Sequence, residues 1–462
     1  MFNLILAALL LSPLAALHAA DVLKPNILII LTDDQGRGDY SAFGTPDIRT
    51  PNLDRLGREG MTFRNFFANS CVCSPSRAAL LTGCYPDRVG VPGVIREETP
   101  DNSWGYLLPG AQLLPQVLKP AGYHSAIIGK WHLGIGSPNT PNERGFDLFH
   151  GFLGDMMDSY TTHRRHGLNL MRRNTETIHP QGHATEVFTT WACEYLQEQS
   201  KTGKPFLLYL AYNAPHDPIQ PPPEWLEKVQ KREPGLHPKR TKIVALIEHL
   251  DDGIGKVLNT LDRTGLATNT LVIFTSDNGG NLTLGANNGP WRGSKGSVYE
   301  GGLRVPGMAR WPGRIKPNSS TERMTLTMDI FATTCEAAGV TPHQGLDGVS
   351  FLPALLGKDG SSPKRDMYFV RREGGKKYEG KTIQALRHED WKILQNLPDA
   401  PFELYNLRLD SKESNNLAEN ENQNFGMLSN ALSRQMLIGS EVPWKNPNPR
   451  RHPQPIQNSP PF

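Results

Sequence analysis

Residues 26–36 read Asn26-Ile27-Leu28-Ile29-Ile30-Leu31-Thr32-Asp33-Asp34-Gln35-Gly36, an unbroken apolar run that ends in two carboxylates. A run without polar alternation fits a strand covered on both faces, as in a parallel sheet between helices. The same grammar returns three times. Ser125-Ala126-Ile127-Ile128 runs into Gly129-Lys130-Trp131-His132, and Phe206-Leu207-Leu208-Tyr209-Leu210 ends near Asn213-Ala214-Pro215-His216. Leu271-Val272-Ile273-Phe274 runs into Thr275-Ser276-Asp277-Asn278-Gly279-Gly280. Ligands of open α/β sheets bind outside the carboxyl ends of the strands. Four strands are therefore expected to deliver carboxylates, lysine and histidine to one rim.

Helices are expected between them at Thr50 to Glu59, Leu113 to Ala121, Thr185 to Gln199, Lys242 to Arg263 and Asp329 to Ala338. The stripe Ile243, Leu246, Ile247, Leu250, Ile254 and Leu258 has helical spacing and reads as core. After about Gly348 the pattern changes to short strands at Tyr368-Phe369-Val370, Ile383-Gln384-Ala385-Leu386 and Trp391-Lys392-Ile393-Leu394, then a helix around Met427 and Leu428. The expected organisation is a catalytic domain over 21–347, a C-terminal subdomain with a small antiparallel sheet over 348–441, and an extended proline-rich tail over 442–462. Met1 to Ala20 is an apolar leader with a small-residue end, too short to span a bilayer, and reads as a secretory signal peptide. No later stretch is apolar enough to cross a membrane. Export follows: periplasmic or extracellular in a bacterium, the secretory pathway or lysosome in a eukaryote.

With 462 residues, 21% charged and 38% hydrophobic, the chain has room for a large core. A net charge of +3, with Lys and Arg nearly balanced by Asp and Glu, argues against nucleic acid as a partner. Five cysteines, at 71, 73, 84, 193 and 335, are too few for a disulfide scaffold at this length.

Residues 73–83, Cys73-Ser74-Pro75-Ser76-Arg77-Ala78-Ala79-Leu80-Leu81-Thr82-Gly83, carry the chemistry. Ser74 reads as an N-cap, Pro75 as the first helical residue and Gly83 as the C-terminal stop. Cys73 would sit at the helix N-terminus, where the dipole and open N–H groups favour an anion or a thiolate, with Arg77 one turn on. The run resembles the sulfatase signature Cys-x-Pro-Ser-Arg followed by Leu-Thr-Gly, whose cysteine is oxidised after translation to formylglycine by a maturation enzyme. Cys71 lacks the Pro and Arg at the right offsets. Further likeness lies in Thr50-Pro51-Asn52-Leu53-Asp54-Arg55-Leu56, Gly129-Lys130-Trp131-His132-Leu133-Gly134, Ser276-Asp277-Asn278-Gly279, Tyr299-Glu300-Gly301-Gly302-Leu303-Arg304-Val305-Pro306 and Glu403-Leu404-Tyr405-Asn406-Leu407. The implied fold is the alkaline-phosphatase-like α/β sandwich, with a large, mixed, mostly parallel sheet between helices and a small C-terminal α+β subdomain.

Asp33, Asp34, Asp277 and Asn278 are hard oxygen donors without a zinc-spaced Cys or His cluster, which favours calcium or magnesium. By the resemblance they hold calcium, with magnesium the lesser candidate, together with formylglycine at Cys73. The resemblance also implies that Arg77, Lys130, His132, His216 and Lys295 line the sulfate site. A hydrated formylglycine, activated by the metal and Asp277, attacks sulfur, His216 and Lys295 serve the leaving oxygen, and His132 acts as base in releasing sulfate.

Arg37, Cys84 and Asp217 depart from the residues common in the family and are expected on the substrate rim. The expected substrate is a sulfated carbohydrate, by likeness to arylsulfatases and N-acetylgalactosamine-6-sulfatases. The alternatives are a phosphomonoester or phosphonate ester hydrolase of the same fold, or a catalytically silent carbohydrate-binding relative.

Overall fold

Ten strands build the main sheet of the computed structural model, which describes residues 24–96, 103–342, 345–373 and 382–445. In chain order they are β1 (Asn26–Thr32), β2 (Met61–Phe67), β3 (His124–Lys130) and β4 (Leu148–Phe152), then, after a two-stranded ribbon of β5 (Arg164–Arg165) and β6 (Leu168–Asn169), β7 (Met171–Arg173), β8 (Glu176–Thr177), β9 (Phe206–Ala211), β10 (Thr270–Ser276), β11 (Gly307–Arg310) and β12 (Ser319–Leu326). Their spatial order is β12-β2-β11-β10-β1-β9-β3-β4-β7-β8, and all but β11 and β7 run the same way. The four apolar runs of the sequence are the four adjacent central strands β10, β1, β9 and β3. Every residue of β1, β9 and β10 is buried, as expected of strands covered on both faces.

The helices are α1 (Pro51–Arg58), α2 (Cys73–Thr82), α3 (Leu114–Leu118), α4 (Ala184–Gln199), α5 (Pro223–Arg232), α6 (Pro238–Arg263), α7 (Glu300–Leu303), α8 (Asp329–Ala338), α9 (Leu352–Leu355) and α10 (Asn422–Ser440). The apolar stripe of α6, from Ile243 to Leu258, is buried against α1, α4 and α5. Helix α6 starts earlier than the apolar period suggests, because Pro238 occupies its first turn and the His237 side chain accepts the Lys239 N–H. Only half of the expected helix at 113–121 is α-helical, since Pro120 and Gly122 turn its end into a 3₁₀ segment.

Sequence patterning passed over β2, β4, β11 and β12. Strands β2 and β12 carry exposed polar positions among buried ones, so they lack a continuous apolar run.

Beyond the main core, β13 (Met367–Arg372), β14 (Thr382–His388), β15 (Trp391–Gln395) and β16 (Glu403–Asn406) form an antiparallel sheet in that order. Phe351, Leu352 and Leu355 still belong to the main core, whereas Val370, Leu386, Ile393 and Leu404 pack with Leu428 and Leu432 of α10 and with Phe67, Ala79 and Leu303. The expected signal peptide at 1–20 lies outside the described residues, as does the tail beyond 445. Among the described residues no helix is long and apolar enough to cross a membrane.

Candidate active site

The carboxyl ends of the four central strands meet in one place. Strands β1 and β10 pair in register up to Thr32 opposite Ser276, so Asp33 and Asp277 leave the sheet side by side. Backbone bonds hold the crossing points: Asp33 N–H to Ala214 O at 3.1 Å, Asp277 N–H to Thr32 O at 3.1 Å, and His132 N–H to Leu153 O at 3.1 Å. Asp34 and His132 adopt φ values of 67° and 58°, a left-handed conformation that costs non-glycine residues energy and clusters at functional sites. Gly129 turns the end of β3 with φ 106°, and a Cβ there would stand 1.9 Å from Ala211 O. No other residue fits that position, from which Lys130 departs.

Helix α2 brings Cys73 and Arg77 to the rim. The expected cap is corrected: the helix begins at Cys73, with extended Val72 at its N-cap and no side-chain cap. The whole first turn is buried, and nearby loops recruit its hydroxyls. Ser74 Oγ accepts the Ile95 N–H at 3.1 Å, and Ser76 Oγ accepts from Ser70 N at 3.2 Å and donates to Ser70 O at 3.0 Å. Gly83 ends the helix as expected, with φ 71°. A thiolate at Cys73 is not favoured: burial, then Asp33, push the thiol well above its ordinary value. The desolvation of a fully enclosed sulfur outweighs the helix dipole. None of the five cysteines is in a disulfide.

Three carboxylates and three cations share the buried rim. Asp33 Oδ2 lies 2.5 Å from Lys130 Nζ and 3.5 Å from Arg77 Nη2. Arg77 grips Asp277 Oδ2 with Nε at 3.2 Å and Nη2 at 2.8 Å, so its fork faces a carboxylate rather than the open site. Lys295 Nζ sits 2.8 Å from Asp34 Oδ2. Burial alone would raise Asp33, yet Lys130, His216, Arg77 and Lys295 hold it well below the usual carboxylate range. Asp277 goes the other way, pushed up to about 7 by burial and by Asp33.

The two histidines differ in what they touch. His216 Nδ1 donates to the Asp217 carbonyl at 2.7 Å, leaving Nε2 to accept from Lys295 Nζ at 2.9 Å. His132 Nε2 donates to Ile95 O at 3.0 Å, and its buried Nδ1 has no hydrogen-bond partner among the described residues. Burial and then Lys130 lower the His132 pKa well below the ordinary value, so the ring is neutral with a free lone pair on Nδ1.

Asp33, Asp34 and Asn278 offer hard oxygen donors, and Cys73 and His216 add softer ones beside them. Ligand atoms of Asp33, Asp34, Cys73 and His216 lie within 4.8 Å of one another. Asn278 Nδ2 donates to Asp34 Oδ1 at 2.7 Å, and Asn278 Oδ1 is buried without a hydrogen-bond partner among the described residues. An orphaned buried acceptor costs about 1–3 kcal/mol, which a cation would offset. Asp277 Oδ1 accepts the Asp34 N–H at 3.1 Å, which ties the two Asp pairs together. The expected site residues lie near one another, but the cation cluster is made by Asp33, Asp34, Cys73 and His216: His216 was not among the expected ligands, and the expected ligand Asp277 falls outside it, gripped by Arg77.

Two of the three rim expectations are corrected. Arg37 is buried, bonds Arg64 O at 3.2 Å and lies over the Phe43 ring. Cys84 is buried with its sulfur 3.7 Å from Gly345 O. Of the three, Asp217 alone adjoins the site, beside His216. The roles of the Ile95 carbonyl and the Ser74 hydroxyl had no signal in the sequence, because each is a local backbone partnership made by distant loops.

A family model described as Sulfatase matches residues 25–340, and one described as N-sulphoglucosamine sulphohydrolase, C-terminal, matches residues 293–438. The chain is 35% identical over 384 residues to the N-acetylgalactosamine-6-sulfatase of Sus scrofa, covering 78% of this chain and 70% of that relative. It is also 35% identical over 384 residues to arylsulfatase A of Bos taurus, covering 77% and 72%. Among solved structures, Ps i-CgsB in complex with k-i-k-neocarrahexaose superposes with a TM-score of 0.82 at 28% identity, covering 92% of this chain and 96% of that one.

Proposed function

The chain belongs to the sulfatase family of sulfuric ester hydrolases, and from that premise we propose that it removes sulfate from a sulfated carbohydrate after conversion of Cys73 to formylglycine. The observation that carries this reading is the orphaned Asn278 Oδ1 among Asp33, Asp34 and Asp277, with Cys73 Sγ 3.5 Å from Asp33 Oδ1. The likeness to an N-acetylgalactosamine-6-sulfatase and to a protein solved with a neocarrahexaose supports a sugar substrate. The apolar leader supports export.

Asp33, Asp34, Asp277, Asn278 and the converted residue 73 would hold a calcium ion, which takes more carboxylate and amide oxygens than magnesium does. When bound, the ion and the formylglycine supply charge neutralisation and the nucleophilic oxygen. Everything else belongs to the chain's own side chains. Asp277, oriented by Arg77, accepts the proton of the attacking oxygen. Lys130 faces the sulfate charge, and Arg77 fixes the carboxylates around it. Lys295 Nζ and His216 Nε2, 2.9 Å apart, form a relay that protonates the departing sugar oxygen. His132 takes up a proton at its unpartnered Nδ1 during sulfate release.

The test is turnover of the chain, expressed with a formylglycine-generating enzyme, on sulfated sugars, nitrophenyl sulfate and the matching phosphate esters. Sulfate esters should be preferred at least about tenfold, peptide mass spectrometry should find an aldehyde at residue 73, and chelation should abolish turnover. Preference for phosphate esters would overturn the proposal, as would full activity with an intact thiol at 73.

A further inference from the structure

His216 sits at the end of a turn, residues 213–216, that leaves β9 at the rim. One hydroxyl braces this turn. Tyr160 Oη donates to Asn213 O and to His216 O, each at 2.8 Å, so a single proton bridges both ends. The turn's other backbone ties are the Asp33 N–H on Ala214 O at 3.1 Å and its own His216 N–H on Asn213 O at 2.9 Å, while the His216 ring itself meets Asp217 O and Lys295 Nζ. Without Tyr160 Oη, none of these bonds restrains the His216 carbonyl.

Tyr160 is itself held from every side. It is 1% exposed, its ring stacks on His183 at 4.8 Å, and its N–H donates to Gln220 Oε1 at 3.0 Å. Its carbonyl accepts the Ala184 N–H at 2.7 Å, at the start of α4. His183 Nε2 in turn donates to Gln220 O at 3.0 Å, which closes the brace onto the loop four residues beyond His216. The hydroxyl thus transmits the position of the α4 N-terminus to the histidine turn.

We propose that Tyr160 is a positioning residue for His216, setting its Nε2 against Lys295 Nζ so that the pair can deliver a proton to a sugar leaving group. This rests on the sulfatase reading of the site. Displacing an imidazole by a fraction of an ångström weakens proton transfer far more than it weakens binding. The cost should therefore fall on leaving groups that need the proton.

The experiment is a double-mutant cycle of Tyr160→Phe and His216→Ala on the same sugar sulfate and on nitrophenyl sulfate. Y160F keeps the ring stacked on His183 and deletes the oxygen alone. It should lower kcat on the sugar sulfate about tenfold, lower kcat on the aryl sulfate less than about threefold, and leave KM within about twofold. In the His216→Ala background, Y160F should add no further loss. Equal losses on both substrates, or an undiminished effect in the His216→Ala background, would overturn the inference. A crystal structure of Y160F gives a readout independent of turnover: His216 should move away from Lys295, and an unchanged 2.9 Å contact would sink the idea even in a protein inactive on every sulfate ester.

Discussion

The rim of the main sheet and the junction with the C-terminal sheet are both buried clusters of charge, and they are built to different standards. At the junction, Lys392 Nζ lies 2.9 Å from Glu300 Oε1 and 2.8 Å from Glu413 Oε1. Arg304 and Arg387 meet Glu300 Oε2 at 2.6 and 3.4 Å, and Glu413 Oε2 accepts the Glu300 N–H at 2.7 Å. Each carboxylate there faces a cation, although Glu413 Oε1 has only its ion pair with Lys392 and no hydrogen bond among the described residues. At the rim the carboxylates are also matched by cations, yet Asn278 Oδ1 and His132 Nδ1 are left without partners and Asp34 and His132 are held in left-handed backbone. A cluster of carboxylates closed by several cations holds a structure together, whereas one that also keeps a neutral amide oxygen and an imidazole nitrogen without partners is arranged for something still to arrive.

The contrast predicts opposite outcomes for single substitutions. The largest effect belongs to the rim. Cys73→Ala should lower turnover by about 10⁴-fold while the thermal midpoint stays put, and Cys71→Ala should leave an aldehyde at 73 detectable by mass spectrometry. Comparable activity in Cys73→Ala would break the comparison at its strongest point. At the junction, Lys392→Met strands the buried Glu413 carboxylate, Glu300 keeping Arg304 and Arg387, and should cost about 3–5 kcal/mol in urea unfolding. A loss of activity without a loss of stability there would show that the junction is not merely structural.

The third effect separates the two rim histidines. His132→Ala should release alcohol rapidly and sulfate slowly, visible as a burst, because Nδ1 serves the second step. His216→Ala should cost about 10²-fold on a sugar sulfate and much less on nitrophenyl sulfate, since only the sugar oxygen needs a proton. Stopped-flow alcohol release and paired substrates check both.

The smallest effect comes from histidines that resemble His132 in burial but not in place. Burial lowers His183 and His249 to about 4, and they pack edge to face at 4.8 Å. Because the folded state holds their protons less tightly than the unfolded chain, their contribution is complete above pH 6.5 and is lost as pH falls from 6.5 toward 4. The thermal midpoint should drop by several degrees across that window. Replacing both by glutamine should flatten this part of the curve, and an unchanged curve would refute the assignment.

Much of this organisation is legible in the chain itself. The central strands announce themselves because burial on both faces demands continuous apolar side chains, as Ile27 to Leu31 shows. The outer strands do not, because β2 and β12 alternate buried and exposed positions that read equally well as loop. The C-terminal strand β16 was visible as Glu403-Leu404-Tyr405-Asn406, but four residues carry too little pattern to be typed. At the site, residue identities were legible and partnerships were not. Arg77 was expected to face an incoming anion, yet its fork closes on Asp277, 200 residues away in sequence.

By itself, then, the sequence determined the covered parallel sheet, the rim to which four strand ends deliver their polar residues, and the Cys73 to Gly83 helix with its signature spacing. These follow from local periodicity and from side-chain chemistry at fixed offsets. Only the tertiary structure decided that Lys130 pairs with Asp33 and Lys295 with Asp34, that Asn278 keeps a bare oxygen and His132 a bare nitrogen, and that Tyr160 braces the turn of His216. The physical reason is that pairing and desolvation are set by neighbours in space, drawn here from segments 56 to 261 residues apart, and no local pattern encodes which of them will meet.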